Sequence, residues 1–156
     1  MRLFVTERAD LLRDLERELS SRTDKIIDTI IQLYLFPENA DAKKWKFEIA
    51  RNLNSVSVIK KKLPTAKQLY KWTYYKKWDL VTDIAWMSVT IRDIEYKCHA
   101  KVTEPVETVC KDVDDICCKY FHWLTHELST YGCVANAQID EKLDELLRDK
   151  GRFNNM

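Results

Sequence analysis

Glycine and proline are scarce: two glycines and three prolines occur in 156 residues. Tight turns draw on both residue types for backbone angles that others resist, so this scarcity argues against a β-rich fold. Long apolar runs are missing too. No stretch reaches the roughly 18 consecutive apolar residues that a membrane-spanning helix needs. Residues 1–10 carry Arg2, Glu7, Arg8 and Asp10 and lack the apolar centre of a signal peptide. The five cysteines form no CxxC pair and are odd in number, unlike a secreted disulfide framework or a zinc ribbon. A reducing cytoplasmic setting, with thiols acting mostly as small apolar groups, is the natural expectation.

What is present is an ordinary globular mixture. Hydrophobic residues make up 46% and charged residues 33%, which places the chain far from the disordered regime. The length suits one domain. The net charge of +1 conceals a segregation: residues 43–77 hold eleven Lys or Arg against one acid, Glu48, whereas residues 79–149 hold seven bases against fifteen acids. Such asymmetry points to a surface that attracts an anionic partner.

Hydrophobic spacing predicts helices throughout. Leu11, Leu12, Leu15 and Leu19, then Ile26, Ile27, Ile30 and Ile31, mark a first stretch over residues 7–36, ended by Pro37. Ser20-Ser21 is a candidate break, with Thr23 or Asp24 restarting the helix. Asp41 is placed to cap a second helix to about Val56, with Trp45, Ile49, Leu53 and Val56 inward. Lys60-Lys61-Lys62 then reads as a basic connection, and Thr65 as the cap of a short helix to about Lys77. Asp79 is expected to cap a helix whose stripe is Leu80, Ile84, Met87, Ile91, Ile94 and Cys98. Thr103, Glu104 and Pro105 form a start signal for the clearest helix, whose seam runs Val106, Val109, Val113, Cys117, Tyr120, Leu124, Leu128 and Tyr131 before Gly132. A last helix over residues 137–150 turns Ile139, Leu143, Leu146 and Leu147 inward. The prediction is an all-α, single-domain helical bundle of five or six helices over residues 1–150, followed by a polar C-terminal tail, residues 151–156.

The basic middle segment is also aromatic. Lys60, Lys61, Lys62, Lys67, Lys71, Lys76 and Lys77 alternate with Tyr70, Trp72, Tyr74, Tyr75 and Trp78. On a helix from Thr65, the residues Lys67, Lys71, Tyr74 and Trp78 share one face. Ammonium groups neutralise phosphates and flat rings stack on unpaired bases, a pairing suited to flexible nucleic acid. The competing expectation is that Tyr70, Tyr74 and Trp78 pack inward, with the lysines solvated or docked on the acidic second half of the chain. An acidic protein partner fits the same charges. Lysine outnumbers arginine ten to one in residues 43–77, which favours backbone contact over base readout.

Two further constellations stand out. Asp115, Cys118, His122 and His126 recur at i, i+3, i+7 and i+11, opposite the seam of the strongest helix. Histidines four apart can share a metal, but closing the shell needs another ligand, from His99, Cys133 or a second subunit. The metalloprotease pattern H-E-x-x-H is not present, so exposed histidines without metal are the expected outcome.

The second constellation is Arg92 and His99, seven apart on one helical face. Their spacing loosely resembles the Arg-x4–6-His motif of HEPN ribonucleases, over these eight residues and no more. The resemblance implies a small all-α protein in which both residues act on a phosphodiester at a dimer interface. The alternative is an Arg92–Glu95 ion pair, with His99 ending its helix against the dipole. No Gly-rich phosphate loop, nucleophile elbow or paired-carboxylate motif is found, and no cofactor is expected. The sequence thus predicts a cytoplasmic, non-enzymatic binding or adaptor protein that contacts nucleic-acid backbone. An acidic protein partner or a ribonuclease are the alternatives, no membrane is involved, and homodimerisation is left open.

Overall fold

The computed structural model describes residues 2–62 and 76–152, and the side chains of residues 13–56, 77–128 and 130–152 within them. Six helices occupy the described residues: α1 Arg2–Leu35, α2 Ala42–Lys62, α3 Lys76–Val81, α4 Ile84–Cys98, α5 Val106–Tyr131 and α6 Asn136–Asp149. No strand occurs among the described residues, so the all-α prediction holds. None of the helices searched there is long and apolar enough to cross a membrane.

The frame is the long hairpin of α1 and α2. At 34 residues, α1 extends about 50 Å. It does not break at Ser20-Ser21: Thr23 is buried within the helix and its hydroxyl donates to the Leu19 carbonyl at 2.9 Å. That local bond satisfies the hydroxyl without a cap, so the helix runs through. A short turn follows Leu35, in which the Asp41 amide donates to Asn39 Oδ1 at 2.8 Å. The Asp41 carbonyl then accepts from Trp45 N–H at 2.9 Å as α2 begins. Midway along the hairpin, Arg22 Nη1 donates to Oδ1 of the buried Asn52 at 3.2 Å, and Asn52 Nδ2 donates to the Glu48 carbonyl at 2.8 Å. The helix α2 reaches Lys62, so Lys60, Lys61 and Lys62 form its last turn, not a connection.

The predicted helix from Asp79 is divided in two. Its start, Leu80 and Val81, belongs to α3, which begins at Lys76 and contains Asp79, and Asp83 is the true cap of α4, with its side chain accepting from Trp86 N–H at 3.1 Å. The inward stripe of α4 narrows accordingly to Met87, Ile91 and Ile94, while Ile84 stands half exposed. Helix α5 lies at the centre of the core. Val109, Val113, Ile116, Cys117, Tyr120, Phe121, Leu124 and Leu128 are all buried. Pro105 occupies its N-cap position with no side-chain cap, so the Thr103 hydroxyl does not serve there. Gly132, at φ 77°, ends α5 in the left-handed conformation that favours glycine and donates its N–H to the Leu128 carbonyl at 3.0 Å. Helix α6 closes the bundle with Ile139, Leu143, Leu146 and Leu147 buried. Just after it, Arg152 donates to the carbonyls of Tyr34 (2.8 Å) and Leu35 (3.0 Å) and pairs with Glu104.

Candidate functional site: the outer face of α2 and the end of α4

Helical period decides which side chains of α2 meet solvent. Ile49, Leu53 and Val56 are buried against the core, and Trp45 is half-buried. Rotated away from that stripe, Lys43, Lys44 and Arg51 are exposed. Phe47, one turn from Lys43 and one turn from Arg51, is 63% exposed. None of these three cations makes an ion pair among the described residues. Lys46 behaves differently: it lies half-buried against α6, 2.6 Å from Asp144. One lysine of the basic segment therefore docks on the acidic half of the chain while its neighbours do not. By the 3.6-residue period, Lys61 and Lys62 fall at the same register as Lys43 and Lys44, five turns on. The side chains of Lys60, Lys61 and Lys62 are outside those described.

Of the other residues expected to bind, Lys67, Lys71, Trp72 and Tyr74 lie outside the described residues. Lys76 opens α3, with its side chain not among those described. Lys77 and Trp78 face the bundle. Lys77 Nζ lies 3.2 Å from Asp28 of α1 and 5.7 Å from the ring centroid of Trp86. Trp78 is half-buried against the core, its ring 5.2 Å from that of Phe121. For Trp78 this corresponds to the packed alternative; Tyr70 and Tyr74, named with it, lie outside the described residues.

At the end of α4 the structure brings Arg92 and His99 to one groove of about 390 Å³, lined also by Glu95, Tyr96, Ala100 and Lys101. His99 has φ 52°, the one non-glycine residue at positive φ among the described residues, and it ends α4. Histidine tolerates this region better than most side chains. The alternative, an Arg92–Glu95 ion pair, does not form among the described residues. Glu95 Oε2 instead accepts from Val102 N–H at 2.7 Å, and Asp93 pairs with Lys97 at 3.0 Å. Arg92 and Lys101 are exposed and make no ion pair among the described residues. His99 also lines an adjoining groove with Asp41, Trp45 and Cys98, so the end of α4 lies against the start of α2.

The α5 constellation is dispersed. Cys118, His122 and His126 are exposed, while Asp115 is held by Lys150 at 2.8 Å and Lys119 at 3.0 Å. Hydrogen bonds from Lys150 and Lys119 keep its carboxyl below the usual carboxylate range. No group of three or more His, Cys, Asp or Glu is placed to hold a metal ion among the described residues. All five thiols are free, and burial pushes that of Cys117 far up.

Sequence reasoning did not single out Phe47, Tyr96 or Lys101. Phe47 had a signal: it falls off the Ile49–Leu53–Val56 stripe and between Lys43 and Arg51. Tyr96 likewise falls off the Met87–Ile91–Ile94 stripe and is 80% exposed. Comparison with known proteins finds no matching family, no similar curated protein and no similar solved structure.

Proposed function

We propose that this protein is a non-enzymatic binding protein that holds nucleic-acid backbone on the outer face of α2. The observation that carries the reading is Phe47, 63% exposed between Lys43, Lys44 and Arg51, cations without an ion pair among the described residues. Ammonium and guanidinium groups neutralise phosphates and release counterions, and an exposed ring offers a stacking platform. The lysine-rich turn at 60–62 extends the same helix. Lysine's compact charge suits backbone contact more than base readout. Five free thiols suit a reducing cytosol.

The test is the salt dependence of oligonucleotide affinity. The affinity of wild-type protein falls steeply with salt. The triple variant Lys43→Glu, Lys44→Glu, Arg51→Glu flattens the log–log slope by roughly 2, at about 0.7 for each phosphate that is no longer neutralised. A flat response in the wild type removes the reading. An acidic protein partner would instead co-purify through nuclease treatment and depend on the same cations.

A second reading is supported by the groove that Arg92 and His99 share. There the 2′-hydroxyl of RNA would attack the adjacent phosphorus and displace the 5′-oxygen of the next nucleotide, with His99 moving the proton and Arg92 stabilising charge on the non-bridging oxygens. His99→Gly is the discriminating variant, because it removes the imidazole while suiting the φ of 52°. Cleavage by wild type that vanishes in this variant supports the reading; cleavage retained ends it.

A further inference from the structure

We infer that the groove at the end of α4 seats one unpaired nucleotide of a single-stranded nucleic acid, with its base on Tyr96 and its phosphate between Arg92 and Lys101. The inference rests on the nucleic-acid reading above and adds the strandedness of the ligand. Three observations carry it. Tyr96 is 80% exposed, the most exposed of the large hydrophobic side chains among the described residues. The left-handed turn at His99 ends α4, so that Lys101 lines the same groove as Arg92 and Tyr96, which precede His99 by two turns and one. The groove's one acid, Glu95, is bonded through Oε2 to the Val102 amide. That bond helps fold the segment after α4, and Glu95 makes no ion pair with Arg92 among the described residues.

The chemistry follows from these groups. A ring flanked by two cations matches a flat, electron-rich base attached to a phosphate. A base inside a duplex is already stacked on its neighbours and cannot reach a surface ring, whereas a splayed, single-stranded base can. The groove, about 390 Å³, falls within the range of sites for small ligands. Its neighbour, the groove shared by His99, Asp41 and Trp45, joins it to the start of α2.

The experiment compares a twelve-nucleotide single strand, in RNA and DNA versions, with a blunt duplex of the same length, by fluorescence anisotropy on the full chain. Tyr96→Ala and Arg92→Ala are expected to weaken single-strand binding roughly five-fold or more, the value of one stacked base, and to leave duplex binding unchanged. Tyr96→Phe keeps the ring and is expected to keep the affinity. Both positions are exposed, so thermal melts should match wild type. If Tyr96→Ala binds the single strand as wild type does while the α2 triple variant loses it, the subsite is wrong and the broader reading stands. Equal losses for single strand and duplex also overturn the subsite. If wild-type protein binds neither ligand in a salt-sensitive way, the broader reading fails and the subsite with it.

Discussion

Arg152 lies over the ring of Tyr34, its Cζ 5.0 Å from the ring centroid, while its Nε donates to the carbonyl of that same tyrosine at 2.8 Å. The Tyr34 hydroxyl donates to Asp112 Oδ2 at 2.6 Å, and burial together with that carboxylate pushes the phenol far above its usual range. One guanidinium thus answers two carbonyls at the end of α1, the Glu104 carboxylate and an aromatic face. Helix ends leave their last carbonyls without intrahelical donors, and here they are met by a residue 117 and 118 positions away.

Arg152→Ala is expected to destabilise the protein by about 2–3 kcal/mol in urea unfolding, because the Glu104 charge and the two carbonyls lose their donor together. Arg152→Lys should recover only part of this, since an ammonium cannot present the planar fork that meets several acceptors at once. Stability unchanged in Arg152→Ala would show that solvent replaces the clamp.

Trp78→Ala should lower stability by about 2–3 kcal/mol, less than for a fully buried tryptophan, because the ring is half-buried against Phe121. The same substitution should leave oligonucleotide affinity within about two-fold of wild type, measured below the melting transition. This separates core packing from surface stacking for a side chain whose sequence spacing allows both. A large loss of affinity without destabilisation would return Trp78 to the binding surface.

Asp115 and Lys150 give a pH signature. The carboxyl of Asp115 is held below its usual range by Lys150 and Lys119, so it favours the folded state above the ordinary carboxylate range and loses that contribution as pH falls through its folded pKa. Lys150 is raised, chiefly by its hydrogen bond to Asp115, so its share is complete below the ordinary lysine range and is lost as pH rises through its folded pKa. Asp115→Asn should therefore cost up to about 1 kcal/mol at neutral pH, a modest value because the pair is partly solvated. The difference from wild type should shrink below about pH 4 and above about pH 10. Denaturant midpoints at three pH values check it, and a difference independent of pH would show that packing, not charge, is responsible.

How much of this was legible beforehand depends on whether one rule acted alone. In α5 and α6 apolar residues recur by threes and fours with no competing signal, and residues from Val109 to Leu128 and from Ile139 to Leu147 are buried as spaced. Tyr131, in the last turn of α5, is 69% exposed, because by then the helix has passed the core. Between α3 and α4 two aspartates compete for one capping role, and Asp83 takes it. Past Val56, Ser57 and three successive lysines suggest an end to α2, yet each added residue gains a backbone bond once the helix exists, so it continues to Lys62. At the candidate site the cations of α2 were visible as charge, but their partners were not. That Lys46 meets Asp144 and Lys77 meets Asp28 depends on which helices adjoin, information carried only by the tertiary packing.

Asn52 is 3% exposed in the seam between α1 and α2, and its side chain bonds to Arg22 and to the Glu48 carbonyl. Apolar stripes by themselves tolerate sliding, since leucine and isoleucine fill one another's places at modest cost. A carboxamide that finds its partner at a single alignment removes that freedom: a shift of either helix by one turn strands a polar group in oil. The hairpin is therefore locked to one offset, and with it the heights of Lys43, Lys44 and Arg51 along α1.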